Sequence, residues 1–159
     1  MSPYLAPMSA FVQRFGTSSA RNAILLGLLD FRAQLKRIGI IDGFQWLDGS
    51  FVENKEAQGL GPPNDVDVIT FSRLPVSASD PSKKNAFLMA NLNVFDSDRS
   101  KATFKCDAYF VDLDIPPLVV VDRTRYWFGL FSHKRVSALW KGMVQVDLNS
   151  DDTLAKTLI

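Results

Sequence analysis

The chain has 159 residues, of which 47% are hydrophobic, and a formal net charge of +1. This length suits one domain with a packed core, and the balanced charge favours no class of charged partner. The single cysteine, Cys106, excludes an intrachain disulfide and a cysteine-based zinc site, and the single histidine, His133, excludes a site with several histidine ligands. We therefore expect one domain over residues 1–159 in a reducing, cytoplasmic setting.

No segment indicates a membrane protein. The longest apolar run, at residues 23–29, is far shorter than the roughly 20 residues that a membrane-spanning helix needs. The N-terminus does not place a basic region before an apolar one, and Pro3 and Pro7 interrupt it. We expect neither an export signal nor a membrane partner.

The first half of the chain predicts an arm, a helix and two strands. Residues 1–16 carry two prolines and scattered apolar residues, which predicts an extended arm packed on the body. A Thr-Ser-Ser cap and apolar residues at three-to-four spacing predict a helix over residues 20–38, with Gly39 as the stop. A short strand flanked by Phe44, Trp46 and Phe51 should end at Gly49-Ser50, and residues 53–61 should form a polar surface loop before a second strand at residues 66–71.

The second half predicts two more helices, two more strands and a short helical tail. A linker at residues 75–82, with Asp80 or Ser82 as a cap, should lead into a helix over residues 83–96. The remaining predicted elements are a strand at 104–113, a helix at 118–131, an alternating strand at 144–148 and a short helix from Asp151. This order implies a mixed sheet covered by helices, an α+β or α/β sandwich.

Two short motifs suggest phosphate chemistry. A Gly49-Ser50 turn can present backbone N–H groups to a phosphate. Asp65 and Asp67, two residues apart at the start of a strand, point the same way and can share a divalent metal ion. Together they indicate phosphoryl or nucleotidyl transfer.

A pair of metal ions calls for a third carboxylate from a neighbouring strand. Asp107, Asp112 and Asp114 are the candidates, and alternation along the strand places Asp107 on the face opposite the other two. We choose Asp107 because it lies among aromatic residues, where an unpaired carboxylate is costly unless a cation compensates it. Asp112 and Asp114 lie nearer the turn and are expected to be solvated.

These residues resemble a known family. Leu47-Asp48-Gly49-Ser50, Asn64-Asp65-Val66-Asp67-Val68 and Cys106-Asp107-Ala108-Tyr109-Phe110 are similar to the motifs of the DNA polymerase beta superfamily of nucleotidyltransferases. Stretches such as Phe44 to Phe51 and Tyr126-Trp127-Phe128-Gly129 further resemble small uncharacterised bacterial proteins of the minimal nucleotidyltransferase type. The resemblance covers residues 41–148 and implies an α+β fold, a minimal nucleotidyltransferase-like mixed β-sheet flanked by helices.

The resemblance also implies a reaction. Asp65, Asp67 and Asp107 would bind Mg²⁺ or Mn²⁺, with Asp107 alternatively accepting the proton of the acceptor, and Gly49 and Ser50 would hold the phosphates of an NTP. Since no arginine follows Gly49-Ser50 where several minimal members carry one, Lys55 or a distant basic residue would assist the triphosphate. The product would be an NMP attached to a macromolecular acceptor, a protein or an RNA, and by the same resemblance the expected setting is a bacterial toxin–antitoxin or phage-defence system.

Two alternatives stay open. The fold can persist without catalysis, as a module that binds nucleotide, RNA or a partner protein. The motifs can also be structural, with Asn64-Asp65 an Asx-type turn and Gly49-Ser50 a reverse turn. Hydrolase, P-loop and dinucleotide fingerprints are absent from the sequence.

The segment at residues 123–141 departs from the global charge balance. It carries five Lys or Arg residues, His133 and no acidic residue, interleaved with aromatic residues. Such a pattern can hold phosphates and stack bases, or it can be a core-packed element with a solvated basic face. Its basic residues are Arg123, Arg125, Lys134, Arg135 and Lys141.

Overall fold

The computed structural model describes residues 2–78, 80–134, 137 and 139–159. Over these residues the chain forms seven α-helices and five β-strands. The helices are α1 (Met8–Phe15), α2 (Ser19–Arg37), α3 (Pro81–Ala90), α4 (Leu92–Phe95), α5 (Ser97–Phe104), α6 (Pro117–Phe131) and α7 (Asp152–Lys156). The strands are β1 (Tyr4–Leu5), β2 (Phe44–Asp48), β3 (Val66–Ser72), β4 (Cys106–Asp112) and β5 (Val144–Asp147). The expected α+β class, with a mixed sheet and flanking helices, is confirmed.

All five strands belong to one sheet in the order β1-β5-β2-β3-β4. The central strand β2 is antiparallel to both of its neighbours, β5 and β3. The outer pairs β1–β5 and β3–β4 are parallel. Parallel neighbours need a long crossover, and α3, α4 and α5 supply it between β3 and β4.

Apolar side chains pack on both faces of the sheet, because successive strand residues point to opposite sides. The larger core joins one face to α1 and α2, through residues such as Phe11, Leu28 and Val68. A smaller core covers the other face beneath α6. Its buried members are Trp46, Ile69, Phe71, Val111, Phe131 and Met143.

Two predicted helices and two predicted caps are confirmed. The helix expected over residues 20–38 is α2, and the Ser18 side chain caps it by accepting a hydrogen bond from Arg21 N at 3.3 Å. The helix expected over residues 118–131 is α6, which begins at Pro117. Asp80 caps α3 by accepting a hydrogen bond from Ser82 N at 2.8 Å.

The prediction of an extended arm over residues 1–16 is wrong for its second half, which forms α1. Met8, Phe11 and Val12 recur at helical spacing and are all buried, so the helix is stabilised by one apolar face in the core. Near its N-terminus, the Asp151 carboxylate accepts a hydrogen bond from Ser9 N at 3.1 Å.

The prediction of a single helix over residues 83–96 is also wrong, because two shorter helices, α3 and α4, lie there and a third, α5, follows them. Asn91 leaves helical geometry after α3, and Asp96 caps α5 by accepting a hydrogen bond from Arg99 N at 2.9 Å. Phe104, expected to begin a strand, is the last residue of α5. Lys105 then takes a left-handed conformation, with φ of 57°, and turns the chain into β4.

Candidate functional site

Three aspartates form a row across three adjacent strands. Asp48 at the end of β2 is the register partner of Asp67 in β3, and Asp67 is the partner of Asp107 in β4. Directly paired residues point to the same side of a sheet, so all three carboxyl groups lie on the face that α6 covers. The strand register therefore brings together acids that are far apart in sequence.

Asp65 joins this row through a lysine of α5. Lys101 Nζ lies 2.6 Å from Asp65 Oδ2 and 4.0 Å from Asp107 Oδ2. The hydrogen bond to Asp65 raises the pKa of Lys101, and burial opposes this only in part. The Lys101 ammonium therefore already provides a positive charge beside these two carboxylates.

The turn after β2 brings the chain close to Asp67. Gly49 has φ of +80°, and a Cβ atom built at this position would lie 2.7 Å from Asp67 Cγ. Both the positive φ and the close contact require glycine here. Gly49 begins a single 3₁₀ turn that ends at Val52 and includes Ser50.

A buried arginine of α2 fixes this turn. Arg21 donates hydrogen bonds to Phe51 O at 2.6 Å and to Glu53 O at 2.7 Å. Its guanidinium also pairs with Glu56, whose carboxylate lies 2.6 Å from Arg21 Nε. The backbone after Gly49-Ser50 is therefore held from the core side.

Asp48 is the acid most shielded from water. Lys141 Nζ lies 2.8 Å from Asp48 Oδ2, but no described residue donates a well-aligned hydrogen bond to either carboxyl oxygen. Burial raises the pKa of Asp48 to about 7, although the nearby Lys141 ammonium lowers it. The pairing with Lys141 is thus an ion pair that only partly offsets the loss of solvation.

These groups line a cavity of about 800 Å³. Five carboxyl groups and three lysine ammonium groups border it, so negative charge predominates among the described lining residues. This excess of negative charge favours the binding of a cation, or of an anion that is bound together with a cation. The charged residues are Asp48, Glu53, Asp65, Asp67, Asp107, Lys101, Lys134 and Lys141.

Most of the residues predicted from sequence line this cavity, namely Asp65, Asp67, Asp107, Gly49 and Ser50. Lys55 does not border it. The lysines that border the cavity are Lys101 of α5 and two residues of the segment before β5, Lys134 and Lys141. Tertiary contacts, and not sequence proximity, therefore bring cations to the turn. Lys141 Nζ also donates a hydrogen bond to Gly49 O at 3.3 Å.

The two rejected carboxylates lie elsewhere. Asp112 is buried rather than solvated, and its Oδ2 accepts a hydrogen bond from Lys84 Nζ at 2.5 Å. Asp114 is exposed, and its Oδ1 lies 2.9 Å from Arg73 Nε. Neither lines the cavity of the aspartate row.

The basic segment at residues 123–141 divides between two places. His133, Lys134 and Lys141 line the aspartate cavity, whereas Arg123 lines a second cavity of about 700 Å³ with Tyr126 and Trp127. Arg125 is exposed on α6, and Arg135 lies outside the described residues. Phe131 is buried, so the segment combines core residues with cavity-lining cations.

Oxygen ligands are those that Mg²⁺ and Mn²⁺ prefer, and the acids of the cavity offer only oxygen donors. In the part of the chain that the structure describes, no group of three or more His, Cys, Asp or Glu side chains is already gathered around one ion position. Lys101 instead lies against Asp65 and Asp107. The donor chemistry therefore fits a divalent cation, and a lysine now supplies part of the positive charge.

The sequence interpretation missed three charged residues of the cavity: Asp48, Glu53 and Lys101. Asp48 directly precedes Gly49, so its position at the end of a strand was the available signal. Lys101 was missed because its helix was not predicted, and Glu53 was missed because residues 53–61 were expected to form a polar surface loop.

The fold and site define an α+β protein with an acidic cavity at one end of a mixed sheet. The chain belongs to a family of unknown function, DUF6932, whose model matches residues 2–147. Neither the curated proteins nor the solved structures contain a significant match. None of the described helices combines the length and the apolar character needed to cross a bilayer.

Proposed function

We propose that this protein is a metal-dependent nucleotidyltransferase that transfers an NMP from an NTP to a macromolecular acceptor, a protein or an RNA. The observation that carries the proposal is the aspartate row, in which Asp48, Asp67 and Asp107 face one cavity beside the Gly49-Ser50 turn. Structural turns alone do not account for acids from three strands converging on one cavity, since like charges gathered in this way repel one another and are costly unless cations compensate them.

The residues that would hold Mg²⁺ or Mn²⁺ are Asp65, Asp67 and Asp107. When bound, a divalent cation neutralises phosphate charge and orients the triphosphate. The Gly49-Ser50 turn would present backbone N–H groups to the phosphates, and Arg21 fixes that turn through Phe51 O. Lys134 and Lys141 are the cavity lysines that would supply positive charge to the phosphates. The Nζ atom of each also lies within 4 Å of a carboxyl oxygen of Glu53.

Transfer to a hydroxyl forms a phosphate ester bond at the α-phosphorus, breaks the bond to pyrophosphate and removes the hydroxyl proton. Asp107, at the outer end of the aspartate row on the edge strand β4, is our candidate for the carboxylate that accepts this proton if it does not serve as a metal ligand. The cavity is partly open to solvent, which leaves access for an acceptor that docks from outside.

A cytoplasmic setting is part of the proposal, because NTPs and reduced thiols are found together there. Cys106 is buried, and burial raises the pKa of its thiol, so it is not placed to act as a nucleophile. A role in a bacterial toxin–antitoxin or phage-defence system rests on the resemblance alone.

The second candidate is a catalytically inactive module that binds nucleotide, RNA or a partner protein. The contact between Lys101 and Asp65 favours it, because a lysine already offsets charge where a metal ion would bind. An inactive module that binds nucleotide predicts a bound NTP just as the enzyme does, but only the enzyme predicts transfer.

The deciding experiment incubates the protein with α-labelled NTPs, Mg²⁺ or Mn²⁺, and candidate protein and RNA acceptors. We expect label on an acceptor with the natural protein and none with Asp65→Ala/Asp67→Ala. Asp114→Ala is the matched control, since it removes an exposed carboxylate that does not line the cavity. If the natural protein binds NTP but labels nothing, the inactive module is the better conclusion.

A further inference from the structure

Helix α6 leaves an unusually apolar surface exposed. All of its residues are described, and only Phe131 among them is buried. Leu118, Val121 and Tyr126 are 74%, 61% and 62% exposed. Several large apolar side chains exposed on one helix favour an interaction surface over a solvated face.

Two charged residues lie in the middle of this surface. Arg125 Nη2 lies 3.3 Å from Asp122 Oδ1, and their side chains are 81% and 61% exposed. Leu118, Asp122, Arg125 and Gly129 follow one another at spacings of four, three and four residues, which places them on one stripe of the helix. Gly129 faces open space, because a Cβ built there would meet no atom within 4 Å.

This stripe is complementary to itself. If two copies of α6 cross antiparallel about a point between Asp122 and Arg125, Asp122 of each copy meets Arg125 of the other. The same arrangement sets the large side chain of Leu118 against the open position at Gly129, on both sides of the centre. A large side chain opposite a glycine lets two helices approach closely, and opposite charges across the contact attract each other.

We propose that α6 is a homodimer interface, in which a second copy of this chain packs antiparallel on the stripe formed by Leu118, Asp122, Arg125 and Gly129. A two-fold contact uses each complementary pair twice, so a self-complementary pattern on one helix specifies a second copy. A different partner would need an apolar helix with the reverse order of charges, and nothing in the stripe requires one. Because one helix pair buries little area, the dimer is expected to dissociate in the micromolar range.

The test is the mass in solution, measured by sedimentation velocity from about 1 to about 200 µM protein. The natural chain should shift from one to two copies across this range. Asp122→Arg gathers four positive charges at the centre of the contact and Arg125→Asp gathers four negative ones, so each variant alone should stay monomeric. An equimolar mixture of the two variants restores both opposite-charge pairs and should form a heterodimer.

Two further variants guard against trivial explanations. Gly129→Leu fills the space that faces Leu118 and should also yield a monomer, while its gain in helix propensity protects the fold. Met89→Asp, on α3, is the matched control, because it charges a residue that is 67% exposed outside the stripe and should leave the dimer unchanged. A natural chain that is monomeric at all concentrations, or a mixture of the charge variants that stays monomeric, would overturn the proposal.

Discussion

Asp48 is a buried ionisable residue, and its pKa of about 7 makes the stability of the folded protein depend on pH. Unfolded, this carboxyl ionises near its ordinary value of 3.8, whereas in the folded protein it keeps its proton until about pH 7. Between these values the folded state binds more protons than the unfolded state, so this group lowers the free energy of unfolding as pH rises. The sign is opposite to that of a carboxylate stabilised by a strong salt bridge.

We therefore predict that Asp48→Asn reduces the loss of stability between pH 4 and pH 7 relative to the natural protein. The difference should reach up to roughly 4 kcal/mol at the upper end, because the amide has no charge to desolvate. Urea unfolding at several pH values in the presence of EDTA measures it. Asp114→Asn controls for the loss of one exposed carboxylate, and parallel stability curves for the natural protein and Asp48→Asn would contradict the prediction.

Lys101 offers a second prediction for a single residue. Its ammonium lies 2.6 Å from Asp65 Oδ2, so it competes with any metal ion that Asp65 and Asp107 would bind. Lys101→Met should tighten Mn²⁺ binding by about tenfold, since the competing positive charge is removed. Electron paramagnetic resonance titration with Mn²⁺ and no nucleotide measures the affinity.

Lys83→Met is the control for Lys101→Met, because it removes an exposed lysine of α3 outside the cavity. Weaker Mn²⁺ binding in Lys101→Met than in this control would show that Lys101 organises the acids instead of competing with a cation. Unchanged binding in both variants would count against metal binding by Asp65.

Among the local elements, the turn from Gly49 to Val52 is the one that the site depends on most. Gly49 and Gly59 both have positive φ, at +80° and +73°, but only Gly49 is crowded, by the carboxyl group of Asp67. A comparison of the two therefore separates backbone strain from the close approach to the aspartate row.

We expect Gly59→Ala to cost about 1 kcal/mol through its backbone conformation, and Gly49→Ala to cost clearly more. The excess arises because Cβ and the Asp67 carboxyl group cannot occupy their present positions together. Thermal or urea unfolding of both variants gives the difference. Equal losses of stability in the two variants would mean that the Asp67 carboxyl group moves away from the new Cβ atom without a cost in free energy.

At the scale of the whole molecule, one buried arginine joins four elements. Arg32 of α2 is fully buried and hydrogen-bonds to Gln45 Oε1 at 2.6 Å, to Asp147 O at 2.7 Å and to the Asp152 carboxylate at 3.0 Å. It thereby links α2 to β2, β5 and α7. Lys36, which is partly exposed, pairs with the same Asp152 at 2.8 Å.

Because Arg32 and Lys36 share a partner, they form a matched pair for mutation. Arg32→Met should destabilise the protein by roughly 3–5 kcal/mol, since it leaves a buried amide, a carbonyl and part of a carboxylate without their donor. Lys36→Met should cost less than about 1 kcal/mol, because water can replace an exposed ammonium. Urea unfolding of both variants measures the contrast, and similar losses would contradict the central role of Arg32.

The sequence by itself determined the elements whose patterns are local. The three-to-four spacing in α2 and α6, the caps at Ser18 and Asp80, and the strand alternation are set by residues close in the chain. The same local signals were misleading at residues 8–15, where prolines in the arm masked a helix, and at residues 83–96, where Asn91 leaves helical geometry and separates α3 from α4. The motifs also indicated Asp65, Asp67 and Asp107, because two-residue alternation fixes which side chains share a face, and Gly49 and Ser50, because a Gly-Ser turn can present backbone N–H groups to a phosphate.

Only the tertiary structure decided which charges meet. The register of β2, β3 and β4 aligns Asp48 with Asp67 and Asp107, and packing brings Lys101 and Lys141 to them from elements far away in sequence. Pairing register and helix docking depend on the free energy of the complete core and sheet, which no short window of sequence contains. For the same reason the burial that raises the pKa of Asp48 belongs to the folded molecule and not to its motif.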